Sequence, residues 1–162
     1  MLQLRVNDIL RNAQYATISI VDQGKPWAYS VSFVRHSVMP DALVYYSHQT
    51  SKHTQAVQSD PSCALSIYTT NVQGAVTDGL QAEGLISIIE TPSIELYDHY
   101  YNTAFTDTVQ REEWRIPVEE FSGKGSQRFH IIHLERLWLM DLKRWEVDKA
   151  DMRIEVSSPL HS

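Results

Sequence analysis

The feature that most limits how this chain can fold is a repeated alternation of apolar and polar residues with a period of two, broken at short intervals by turn-forming groups. Tyr15 to Asp22 is rich in β-branched residues and sets Ala16, Ile18 and Ile20 on one face. Gln23, Gly24, Lys25 and Pro26 supply a turn, and Trp27 to Arg35 reads as the second strand of a hairpin. Met39, Pro40 and Asp41 break the chain before a third strand, Ala42 to His48. Three such strands in succession predict a meander. Cys63 to Thr70 and Gly79 to Glu90 read as two more, around a polar loop from Asn71 to Asp78, and Arg128 to Leu134 and Arg136 to Leu142 as a last pair.

Helical signals are short and lie between the strands. Asn7 or Asp8 is a candidate cap for an opening helix. Ser51 caps a segment running to Ser59, with Ala56 and Val57 inward and Asp60-Pro61 as its stop. Thr91 and Pro92 open a helix reaching Asn102, Glu112 to Trp114 belongs to another, and Ser122 to Ser126 is a flexible connection. The sum is about seven strands with few helices, an antiparallel barrel pattern with helical insertions.

At 162 residues and 43% apolar composition, the chain is expected to form a single domain, residues 1–162, around one core. A net charge of -6 argues against broad attraction to nucleic acid or an anionic membrane. The lone cysteine, Cys63, cannot form an intrachain disulfide and lies in an apolar run, as a buried thiol would. Residues Met1 to Asn12 hold no long hydrophobic stretch, so neither a signal peptide nor a membrane anchor is expected, and the cytoplasm is the default location.

The most informative stretch is Tyr45 to His53, where a strand ends and a helix begins. The first N–H groups of a helix lack intrahelical partners and carry partial positive charge, so a phosphate there receives several hydrogen bonds, and Ser47 and Ser51 can add hydroxyl contacts. Lys52 stands unfavourably against the helix dipole, a penalty of roughly 0.3–1 kcal/mol that a bound phosphate removes. The alternative is an ordinary solvated lysine beside a plain cap.

Taken together, Gly24-Lys25-Pro26, Tyr45-Tyr46-Ser47, Ser51-Lys52-His53, Asp60-Pro61 and Leu80-Gln81-Ala82-Glu83-Gly84 make the chain resemble the pyridoxamine-phosphate-oxidase-like superfamily of flavin-binding split β-barrels, over Ala13 to Glu90 and less closely over Phe129 to Asp141. The resemblance implies a mainly β fold, a homodimer and bound FMN. It sets Tyr29, Ser30 and Val31 beside the isoalloxazine ring and gives Ser47, Ser51 and Lys52 the phosphate, with His53 where the family often has a second basic residue. Gln81 would reach the flavin edge from the partner subunit. Plain strand packing is the other reading of Tyr29, Ser30 and Val31.

The implied function is an FMN-dependent oxidoreductase acting on a small molecule. The alternatives are a noncatalytic flavin carrier, or a related barrel holding haem or deazaflavin. True pyridoxamine-phosphate oxidases use basic side chains on the second strand and a basic C-terminal motif; here the corresponding positions hold Tyr29 and Val34, and the run Trp138 to Leu142 lacks the motif, so that activity is not expected. No metal site is expected either, because His130 and His133 point to opposite faces of a strand. Gly84 marks a bulge or a close approach, and Trp114, Trp138 and Trp145 suit core or dimer contacts.

Overall fold

In the structure, a computed structural model that describes residues 1–69, 78–157 and 160, the first element is a helix, α1 (Leu2–Asn12). It holds neither expected cap: it starts at Met1 without a side-chain cap, so Asn7 and Asp8 lie inside it. Burial of Val6, Ile9 and Leu10 against the sheet offsets the missing cap.

Strands β1 (Tyr15–Asp22) and β2 (Lys25–Ser32) form a hairpin that turns on Gln23 and Gly24 alone, both at positive φ, the geometry that matches strand twist in a two-residue turn. Lys25 and Pro26, expected in the turn, belong to β2. Proline is tolerated there because β2 is an edge strand with no partner on its outer side.

The remaining elements are β3 (Val34–Arg35), β4 (Ala42–His48), α2 (Lys52–Ser59), β5 (Ser62–Tyr68), β6 (Gly79–Ile89), α3 (Ile94–Ala104), α4 (Thr108–Trp114), a 3-10 turn (Val118–Phe121), β7 (Gln127–Met140), α5 (Leu142–Asp148) and β8 (Arg153–Val156). One antiparallel sheet of eight strands contains them in the order β2-β1-β5-β6-β7-β4-β3, with β8 beside β7. The expected strand end at Thr70 and residues 71–77 of the expected loop lie outside the described residues.

The meander does not form. β4 pairs with β7, while β2 and β3, separated only by Phe33, lie at opposite ends of the strand order. The sheet therefore curls until its two edges approach at Phe33. There the Tyr29 and Tyr45 hydroxyls meet at 2.9 Å across a gap that backbone pairing leaves open, giving a split barrel.

β4 departs from the simple alternation because both of its faces are covered. Leu43 and Tyr45 join the barrel core with Ile18, Ile67, Leu80 and Leu137, while Val44 packs outward with Tyr97, Tyr101, Phe121 and Phe129 beneath α3 and the 3-10 turn. Each fully buried side chain of this size contributes roughly 1.5–3 kcal/mol. Ser93, not Thr91, caps α3, its hydroxyl accepting from the Leu96 N–H. The expected last pair of strands is the single strand β7, which continues through Glu135.

Candidate functional site

The site grows from the end of β4, whose alternation turns Tyr45 and Ser47 to the barrel side of the split. The chain then bends through 49–51 into α2, and two contacts hold the bend: the Gln49 N–H donates to the Ser126 carbonyl (2.8 Å) and its side-chain amide to that of Gly125 (2.7 Å). The segment 122–126 is in turn held by the buried Arg128 guanidinium, which donates to the Gly123 and Gly125 carbonyls, and by Glu120, which accepts from the Ser126 N–H and hydroxyl. The stretch expected to be flexible is thus a braced support for the strand-to-helix junction.

As expected, Ser51 caps α2, its hydroxyl accepting from the Thr54 N–H at 3.3 Å. Ser47 Oγ lies 3.3 Å from Ser51 Oγ and 2.6 Å from His53 Nε2. The His53 ring stacks on Tyr29 with centroids 3.9 Å apart. Of the residues singled out in the sequence, Tyr29, Ser47, Ser51 and His53 therefore form one cluster at the split.

Lys52 leaves the same helix turn on another side. Its ammonium sits 3.4 Å from Asp22 Oδ2 and 3.9 Å from the centroid of Trp27, beside a cavity of about 210 Å³ whose lining includes Gln23 and Lys25. The lysine charge is thus already placed by a carboxylate and a ring at the β1–β2 turn.

Ser30, Val31 and Gln81 are elsewhere. Val31 packs on the barrel core, whereas Ser30 lies on the outer face, 3.2 Å from Thr17 Oγ1. Registers place Ser30, Thr17, Ser66 and Gln81 in one rung across β2, β1, β5 and β6. Three interstrand spacings set Gln81 roughly 14 Å from Ser30, where its carbonyl accepts from Arg153. Within one chain it does not meet the cluster.

Three residues that the sequence did not single out as site residues complete the arrangement: Tyr45, Thr54 and His130, all buried. Tyr45 stacks on His130 at 4.7 Å, and His130 Nε2 lies 3.3 Å from Thr54 Oγ1. A histidine within the apolar run of β7, opposite Tyr45, was the available signal. Burial lowers the His130 pKa to about 4 and lowers that of His53, while it pushes the Tyr29 hydroxyl up to about 12 and the Tyr45 hydroxyl higher still. The cluster is uncharged at neutral pH. Among the described residues no group of three histidines, cysteines or carboxylates is placed to hold a metal, and no helix is long and apolar enough to cross a membrane.

The pyridoxamine 5'-phosphate oxidase family profile matches residues 2–138. No curated protein matches the chain. Among solved structures, the general stress protein 26 from Bacillus anthracis str. Sterne superposes with a TM-score of 0.64 at 15% identity, over 96% of this chain and 98% of that one. An FAD-binding protein from Mesorhizobium loti gives 0.62 at 13% identity over 83% and 90%, and the haem storage protein HutZ from Vibrio cholerae 0.63 at 12% over 85% and 94%. At these identities the likeness is one of fold.

Proposed function

The chain belongs to the pyridoxamine 5'-phosphate oxidase family, and from that premise we propose that it binds FMN at the split and serves as an FMN-dependent oxidoreductase for a small molecule. The observation that carries this reading is the α2 N-terminus, where first-turn N–H groups and the Ser47 and Ser51 hydroxyls lie around one strand-to-helix junction, with Lys52 leaving the same turn towards Asp22 and Trp27. That donor set fits a phosphate. A dianion outcompetes the single Asp22 carboxylate for Lys52, whose ammonium is half exposed and carried on a flexible stem.

Beside this junction the outer edge of β2 has no strand partner, so its backbone groups can meet the polar rim of a ring, with Ser30 and Val31 flanking it. Tyr29 would act from behind, its ring already supporting His53. Bound FMN would supply the electron or hydride transfer, and the chain's part is to hold and orient it. The fold is shared with a haem storage protein, but the polar ring nitrogens of His130 and the Nε2 of His53 are already committed to protein partners, which favours the flavin.

Side-by-side titration tests this. FMN should bind at least about tenfold more tightly than riboflavin, and Lys52→Ala should remove much of that difference while leaving riboflavin unchanged. Equal affinities in the wild-type protein would sink the phosphate site. Turnover with reduced nicotinamide then separates an enzyme from a carrier.

A two-fold homodimer is part of the same proposal. Over β2, β1 and β5 the outward residues Ala28, Ser30, Thr17, Ser19, Ala64 and Ser66 are small and uncharged, edged by the exposed rings of Tyr15 and Tyr68. A sheet face meant for water usually carries charges, whereas this one suits a second copy, which would bring the partner's Gln81 towards a flavin. Light scattering should give about twice 18.6 kDa for flavin-loaded protein, and a monodisperse 18.6 kDa species would overturn the shared site.

A further inference from the structure

The hydroxyl cluster at the split has a direction, fixed by counting hydrogens. His130 Nδ1 lies 3.1 Å from the Arg128 carbonyl, which can only accept, so Nδ1 carries the hydrogen. In the neutral ring Nε2 is then a lone pair and takes the Thr54 hydroxyl hydrogen. With its one hydrogen spent, Thr54 Oγ1 accepts from Ser51 Oγ at 2.8 Å. Ser51 must in turn accept from Ser47, and Ser47 from a protonated His53 Nε2. Every serine hydrogen therefore points into the barrel, and Ser47 and Ser51 show only lone pairs to an arriving anion.

We propose that Ser47, Ser51 and Thr54 form a one-way hydroxyl relay between His53 and His130, and that its reversal couples binding of a phosphate group at Ser47 and Ser51 to uptake of one proton. This rests on the placement of a phosphate at the α2 N-terminus. The proton enters as an imidazolium at His53. His53 Nε2–H passes its hydrogen to Ser47, Ser47 passes its own to Ser51, Ser51 to Thr54, and Thr54 to His130 Nε2.

Each oxygen loses one O–H bond and gains one, His53 ends neutral with its hydrogen on Nδ1, and His130 ends as an imidazolium donating to Arg128 O and Thr54 Oγ1. All hydroxyls are then reversed, Ser51 donating to Ser47 and Ser47 to His53 Nε2, and because the buried His130 lone pair no longer holds the chain, each serine can turn its hydrogen to the anion instead. The negative phosphate offsets the charge now buried on His130. Thr54 and His130 are positioning residues, acting on the ligand only through the serines.

The titratable groups facing the relay are few. Tyr45 on β4 stacks on His130, Tyr29 on β2 stacks on His53, and Cys63 on β5 acts on both tyrosines. Burial keeps all three neutral across the range in which histidines titrate. Lys52 on α2 is paired with Asp22 on β1, and Arg128 on β7 meets the relay through its carbonyl.

The experiment is a pH titration of 15N-histidine-labelled protein by NMR, with and without inorganic phosphate, in the wild type, Thr54→Val and Thr54→Ser. In the wild type, phosphate should raise the pH at which His130 titrates by about one unit or more. Thr54→Val, which keeps the shape and removes the relay hydroxyl, should abolish that shift, and Thr54→Ser should retain it. A His130 that ignores phosphate, or responds equally in Thr54→Val, overturns the proposal. Failure to bind either FMN or riboflavin would defeat the flavin reading while leaving this result intact, because the probe here is phosphate alone.

Discussion

Gly84→Val is expected to lower the unfolding free energy by about 3 kcal/mol or more, and Gly84→Ala by somewhat less. Gly84 sits where the β6–β7 register shifts by one residue, and a Cβ there would lie 2.4 Å from the His133 carbonyl oxygen. The obstacle is backbone inside a sheet, flanked by β5, so neither side can retreat without losing ladder hydrogen bonds. Urea unfolding of the two variants beside the wild type is the measurement. A midpoint equivalent to a loss under about 0.5 kcal/mol would mean that the bulge relaxes freely and that close approach is not why glycine stands there.

Both readings of Gly84 offered by the sequence are thus present together, and the reason is instructive. A bulge is a local event, visible as a glycine in an alternating run, whereas what the glycine must avoid is set by a partner strand some fifty positions away. The same division runs through the fold. Ala42–His48 and the Ser51-capped helix were legible to the residue because their signals lie within them. The strand order was not. Sequence adjacency argues for a meander, and only the two-sided burial of β4, which depends on α3 and Phe121 arriving from far along the chain, makes β7 its partner.

At the site, the residue types were legible and their orientation was not. Ser47, Ser51 and Lys52 could be found because hydroxyls and a cation at a helix start are chemically unusual there. Nothing in the spacing says that Lys52 leans on Trp27 and Asp22 while its neighbour His53 turns into the split, since adjacent residues in a first helical turn diverge by about 100°. Thr54 and His130 escaped for a related reason. His130 is a single polar residue between apolar neighbours and Thr54 one polar residue in a polar helix start, and their significance comes from a contact between α2 and β7 that joins positions 54 and 130.

That buried contact gives the second large expectation, a loss of stability in mild acid that His130→Phe should remove. Burial holds the folded-state pKa of His130 at about 4 against the 6.5 of a freely solvated histidine, so between those values the unfolded chain binds more protons than the folded one. Stability therefore rises with pH through that window and falls as the pH drops. Lowering the pH from 7.5 to 4 should cost about 3 kcal/mol from this group alone. His53 and His36, also lowered by burial, contribute with the same sign, and Asp60, Glu120 and Glu155 lose their contributions at lower pH still. All five remain in His130→Phe, so the difference between variant and wild type isolates His130. The phenyl ring keeps the stack on Tyr45 and leaves the Thr54 hydroxyl without its acceptor, which lowers stability at pH 7.5 by about 1 kcal/mol and does not vary with pH. Urea unfolding of both proteins in phosphate-free buffer should show the wild type losing its advantage on acidification and then falling below the variant. Parallel profiles would mean that His130 is already charged at pH 6 or is reached by water, and the neutral, one-directional network at the split could not then exist in the ligand-free protein.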